Sequence, residues 1–247
     1  MSAARRAADA LAIAIILLLV WQALHYVVGE TALPGPAPTL LYLARLITTA
    51  RFAENAAATV IAFAVALILA YGIGLAIGVW MGAHRISGAV GEPILVAIYS
   101  LPKITLYPVI LLICGLGISG KVAFGALHGI LPVALLTMAA IRNISPVHLK
   151  TARSMKLSKW QTIMMVLFPA TLPEVVSGLR IGLTVTLLGV LLAEMFASKQ
   201  GLGFLIMNAM SLLQTEEMIA VAVLLFAFAA LANALLLWIE HRLHRRV

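Results

Sequence analysis

Six apolar runs of about twenty residues recur along this chain, at 11–28, 56–83, 93–118, 122–141, 175–197 and 218–239. Inside hydrocarbon no water is available to backbone N–H and C=O groups, so a spanning segment must satisfy them internally as a helix. The expected fold is therefore all-α, a polytopic membrane protein with six transmembrane helices in a single domain, 1–247. Composition agrees, since 63% of residues are hydrophobic, 11% are charged and the mean hydropathy is +1.09.

The basic residues set an orientation. Arg5 and Arg6 precede the first run, Arg85 follows the second, a cluster at Lys150, Arg153, Lys156 and Lys159 follows the fourth, and Arg242, Arg245 and Arg246 follow the sixth. If every run crosses, all of these share one side and leave Arg45, Arg51, Lys121 and Lys199 on the other, which places both termini in the cytoplasm. A net charge of +8 distributed this way is an orientation signal, and no nucleic-acid partner is expected. An N-terminal Arg pair before an apolar run also suits a cleaved signal peptide, but no small-x-small site closes this one. Cys114 is the only cysteine, which excludes an intrachain disulfide or a cysteine-based metal cluster, and no metal site is expected elsewhere.

Within the runs, Gly74, Gly78 and Gly82 are spaced four apart, as are Gly178 and Gly182. Such spacing clears one helix face for close approach of another helix. The third run holds Pro102 and Pro108 with Lys103 between them, predicting a kinked span whose cation either walls a translocation path or snorkels to an interface. The LPGPAP stretch at 33–38 reads as a stiff extended external connector.

Two motifs invite enzymatic readings. The 115–122 segment approaches the phosphate-binding pattern G-x-x-x-x-G-K-[ST], but Val122 stands where a magnesium-binding hydroxyl is needed, so a tight turn is expected. Gly117-Ile118-Ser119-Gly120 also matches the surroundings of an intramembrane serine nucleophile, with His128 as a conceivable base and His25 a remoter substitute. Nine residues on one helix would hold Ser119 and His128 more than two turns apart. The chain is not expected to be an enzyme.

The polar interval at 142–173 contains five Lys or Arg and no acid before Glu174, so it must lie outside the bilayer as a cytoplasmic loop. Ser145 before Pro146 is a helix start, predicting a helix over about 146–155 that carries Lys150 and Arg153 on its surface and Val147, Leu149 and Met155 toward a partner. Ser158 and Gln161 fit a capping box at a second helix, expected to end near Pro169. An amphipathic hairpin anchored on anionic lipid is the plainer alternative.

This interval resembles the cytoplasmic signature of binding-protein-dependent ABC importer permeases, E-A-A, three residues, G, nine residues, then I-x-L-P. Aligned on Pro169, the chain supplies Lys150, Thr151 and Ala152, then Lys156 for the glycine, then Val166, Leu167 and Phe168. Leu101-Pro102-Lys103, Leu179-Arg180-Ile181-Gly182, Ala193-Glu194-Met195 and Gly201-Leu202-Gly203 are similar to the branch importing nitrate, sulfonates and taurine. The resemblance implies a type I importer permease of the bacterial inner membrane. It implies a second permease subunit, most simply an identical copy, two cytoplasmic ATPases that bind the ATP and magnesium, and an external solute-binding protein. A coupling helix at 146–157 would include Pro146, Val147, Leu149, Lys150, Thr151, Ala152, Arg153, Met155, Lys156 and Leu157. A self-sufficient secondary carrier is the rival transport reading, for which no half-to-half repeat is evident.

Glu194 is a costly carboxylate in an apolar run, expected to line the translocation route, to serve a gate or pin the dimer seam, or to touch water near the outer interface. Arg180, fourteen residues earlier, stands about 21 Å away along one helix, too far to pair with it.

Overall fold

A computed structural model of the chain describes residues 3–244, with the side chains of 3–11, Leu149, Arg153, Lys159, His241, Leu243 and His244 outside the described set. The basic residues Arg5, Arg6, Arg245 and Arg246 thus lie outside it as side chains. The described residues form helices α1 (Ala3–Val28), α2 (Pro36–Leu46), α3 (Ala50–Ala83), α4 (Arg85–Ser100), α5 (Tyr107–Cys114), α6 (Ile118–Arg142), α7 (Pro146–Ser154), α8 (Lys159–Gln161), α9 (Phe168–Ala197), α10 (Leu202–Ser211) and α11 (Thr215–His244). No strand occurs among them.

Among the described residues four helical segments are long and apolar enough to cross a membrane unbroken: Ala50–Ala83, Ile118–Arg142, Thr162–Ala197 and Thr215–Glu240. In α1 the described apolar stretch, Ala12–Val28, is shorter. The third run differs from the kinked span expected of it. It breaks into α4 and the segment Lys103–Cys114, bent by 88°. Each proline begins a segment instead of bending one: Pro102 precedes a 3-10 turn at Lys103–Leu106, and Pro108 lies in the first turn of α5, where its missing N–H has no helical partner to lose.

The 33–38 connector is also corrected. Gly35 caps α2 and Pro36 opens it, so proline initiates a helix there where an extended strap was expected. The Thr39 hydroxyl donates to Gly35 O at 2.8 Å, sealing that first turn.

The core is three helices in mutual contact, α6 packing extensively on both α3 and α9 while these two also touch. A stripe of small residues on α3, Ala62, Ala66, Ala70, Gly74 and Gly78, is buried along its length. A Cβ added at Gly74 would lie 2.8 Å from Val133 Cβ, one at Gly78 2.6 Å from Thr137 Cβ, and one at Gly82 2.8 Å from Ile141 Cβ. The α9 glycines also press on α6, Gly182 against the same Val133 that meets Gly74. A Cβ at Gly178 would meet Leu136 Cβ at 3.0 Å, and one at Gly182 would meet Val133 Cγ2 at 2.4 Å. Contact this close replaces the hydrophobic drive that lipid does not supply between helices. Outward faces of α1, α3, α4 and α11 expose large apolar side chains such as Leu19, Ile68, Ile94 and Leu231, as a lipid boundary requires.

Candidate functional site

The segment 145–161 projects from the C-terminal end of α6. Ser145 caps α7, its Oγ accepting from Val147 N at 3.3 Å, and Pro146 takes the first helical position. The helix stops at Ser154. Lys156 then adopts φ +53°, the left-handed region that glycine occupies at no steric cost and other residues do not. Leu157 N closes this turn on Ala152 O at 3.1 Å. Ser158 and Gln161 bond reciprocally, Ser158 N to Gln161 Oε1 at 2.9 Å and Gln161 N to Ser158 Oγ at 3.2 Å.

The helix begun at Ser158 does not end near Pro169. After α8 the backbone widens into a π-helical turn at Thr162–Leu167, in which Phe168 N reaches Ile163 O, and then runs on as α9. The wider register shifts the hydrogen-bond ladder just where Pro169 brings no N–H, so the chain passes from surface segment to long helix without stopping.

On α7, Val147, Lys150, Thr151 and Ser154 follow the i, i+3, i+4, i+7 pattern of one face and are exposed, while Ala152 on the other side is buried. Val147 is 64% exposed, Met155 66% and Trp160 67%. The side chains of Leu149 and Arg153 lie outside the described residues.

At the far end of α9, about 45 Å away by helical rise, lies a buried polar cluster. Glu194 is fully buried and pairs with Lys121 of α6 at 3.4 Å. Thr59 of α3 donates its hydroxyl to Glu194 Oε2 at 2.8 Å, and Gly203 N donates to the same oxygen at 3.0 Å. Thr59 Oγ1 also accepts from Leu202 N at 2.7 Å, and Asn55 Oδ1 accepts from Gly201 N at 2.8 Å. Gly201 has φ +124°, and a Cβ there would stand 2.1 Å from Glu194 Cδ. This carboxylate therefore ties the loop between α9 and α10 to α3 and α6. It is neither a lone charge nor a group in ordinary contact with water. A cavity of about 710 Å³ borders the cluster, lined by Lys121, Lys199, Gln200 and the apolar Ile61, Leu116 and Phe196.

Among the described residues three further ion pairs join partners too far apart along the chain for any local sequence pattern to reveal. Arg51 and Glu217 pair at 3.1 Å, and the Tyr42 hydroxyl donates to Glu217 at 3.3 Å. Burial first, and then the neighbouring Glu217 charge, push the Tyr42 hydroxyl above its ordinary pKa. Arg142 pairs with Glu92 at 2.6 Å, tying α4 to the end of α6. Arg180, too far from Glu194 as the spacing implied, pairs with Glu240 of α11 at 3.1 Å and donates to Asn233 Oδ1 at 3.3 Å.

Lys103 sits half-buried at the α4–α5 break, its Nζ donating to Tyr99 O at 3.0 Å and resting 4.5 Å from the Tyr99 ring centroid. Pro102 and Pro108 flank it and are exposed. The Ser119 hydroxyl donates to Cys114 O at 2.6 Å, while His128 Nδ1 bonds Phe124 O at 2.9 Å. Neither group is aimed at the other. Gly115 and Gly117, with φ of +78° and +117°, make the 115–117 segment a turn between α5 and α6.

Membrane-length helices joined by glycine seams define an integral membrane protein, with a capped basic segment at one end of α6. The profile of the family described as "Binding-protein-dependent transport system inner membrane component" matches residues 71–247. The putative aliphatic sulfonates transport permease protein SsuC of Bacillus subtilis (strain 168) is 26% identical over 230 residues, 92% of this chain and 83% of the relative. The taurine transport system permease protein TauC of Escherichia coli (strain K12) is 28% identical over 212 residues, covering 83% and 77%. An inward-facing structure of the MetNI methionine ABC transporter shares the fold at a TM-score of 0.63 and 20% identity, over 75% of this chain and 92% of that one. The chain belongs to this family and is the permease subunit of a binding-protein-dependent ABC importer.

Proposed function

We propose that this permease moves a small anionic or organic solute across the bacterial inner membrane by alternating access, as one of two copies served by two cytoplasmic ATPases and an external solute-binding protein. ATP and magnesium are bound by the ATPases. Resemblance to permeases named for sulfonates and taurine supports the solute class. Six crossings with both termini cytoplasmic follow if α1 and the bent α4–α5 pair each cross once, which the distribution of Lys and Arg favours.

The observation that carries the coupling assignment is the exposure of Val147, Met155 and Trp160 on a segment whose backbone is capped at Ser145 and Ser158. Rigid apolar anchors outside the bilayer suit a protein partner that grips them, and a grip that differs between inward-open and outward-open states biases their equilibrium. Pro146, Val147, Leu149, Lys150, Thr151, Ala152, Arg153, Met155, Lys156 and Leu157 form this coupling element within the 142–173 loop. At the opposite end, Glu194 with Lys121 holds the α9–α10 loop as part of the outer gate, and Pro102, Lys103 and Pro108 border the path at the α4–α5 break.

Deleting 146–157 tests the coupling role. Insertion should persist while ATPase association and transport by the reconstituted importer are lost; uptake driven by an ion gradient in the isolated chain would instead make it a secondary carrier.

A further inference from the structure

The docking segment carries one sign of charge. Residues 142–173 hold five Lys or Arg and no acid, and Arg142 pairs back onto α4 through Glu92. The other ion pairs join Arg51 to Glu217, Lys121 to Glu194 and Arg180 to Glu240, so Lys150 and Lys156 have no acidic partner among the described residues. Both are exposed. Lys150 shares the outward face of α7 with the exposed Val147, and Lys156 is projected by its left-handed turn between the exposed Met155 and the capping box at Ser158.

An interfacial lipid helix separates an apolar face from a basic one. Here Val147 and Lys150 occupy the same face, opposite the buried Ala152, so a surface that covers the apolar anchors must also receive the ammonium groups. Two uncompensated cations beside a desolvated apolar contact are tolerated only where the partner supplies anions. From this charge pattern we infer that the ATPase groove gripping 146–157 is acidic, with carboxylates facing Lys150 and Lys156, and that these two lysines select the cognate ATPase against any whose groove is basic. The inference rests on the coupling role proposed above and adds to it the chemistry of the partner surface.

The test uses the full chain in nanodiscs and the nucleotide-hydrolysing subunit that co-purifies with it. Replacing Lys150→Glu together with Lys156→Glu should weaken ATPase binding at least about tenfold. Raising salt from about 50 to about 200 mM should weaken binding to the parent chain and leave binding to this variant unchanged or stronger. Val147→Asp with Met155→Asp provides the second arm. If that pair abolishes binding while the lysine reversal leaves it unchanged or tightens it, the coupling role stands and the acidic groove is refuted. If neither pair alters binding, the segment is not the dock and both ideas fall. An effect of lysine reversal confined to phosphatidylglycerol nanodiscs, and absent from phosphatidylcholine ones, would assign the charge to lipid and likewise overturn the inference.

Discussion

The carboxylate of Glu194 and the ammonium of Lys121 meet at 3.4 Å across 73 residues of sequence, and both side chains are buried, Lys121 to 5% exposure and Glu194 completely. Neither group is tolerable there alone, because a buried charge without its counter-charge retains its full desolvation cost.

Glu194→Leu should therefore destabilise the protein by about 3 kcal/mol. Adding Lys121→Met should recover part of that loss by removing the orphaned cation. Thermal unfolding in detergent of the two single variants and the double variant measures this; equal melting of parent and Glu194→Leu would show the pair to be energetically idle.

Gly201→Ala tests the tightness of the same clamp. The residue has φ +124° and no room for a Cβ beside the Glu194 carboxylate, so backbone strain and collision add. A loss of about 3 kcal/mol or more is expected, with hydrogen exchange rising first at 198–203. Unchanged exchange there would mean the loop is not held by this contact.

Lys156→Gly should act oppositely. With φ at +53°, the lysine is held where a side chain costs about 1 kcal/mol that glycine does not incur, so the substitution should slow proteolysis of the 145–161 segment. If 156 were a strain-free position, glycine would only add unfolded-state entropy and proteolysis would accelerate.

Tyr42→Phe addresses pH. The Tyr42 hydroxyl is raised above its ordinary value by burial and by Glu217, so the folded state favours the neutral phenol. Its contribution is fully present below about pH 10 and is lost as pH climbs from there through the raised value. The phenylalanine variant should show a flatter alkaline loss of melting temperature than the parent; parallel curves would contradict the assignment.

Much of this architecture was legible in the sequence because bilayer thickness, capping chemistry and glycine spacing are local signals. Ser145 and Ser158 cap where their neighbours predict, and Gly74, Gly78, Gly82, Gly178 and Gly182 face close neighbours. What escaped was non-local or a matter of proline position. Pro36 and Pro108 suit either a break or a helical first turn, and only the surrounding fold decides. Glu194 could not be matched to Lys121, because no periodicity relates positions on different helices. The small-residue stripe was extensible, since Ala62, Ala66 and Ala70 continue the four-residue spacing of the α3 glycines toward its other end.

That seam has a mechanical outcome. Where α3 presents no side chain to Val133 and Thr137, a slide of α3 by one helical turn would bring Ala70 to the place of Gly74 and drive its methyl into Val133, which resists lengthwise creep. With α9 packed against the same Val133, the trio should tilt as a slab, delivering a push at the end that carries α7 to the opposite rim as rotation. Label pairs inside the slab should then keep their separation through a transport cycle while pairs from the slab to α1 change, and the reverse pattern would show that the seam slips.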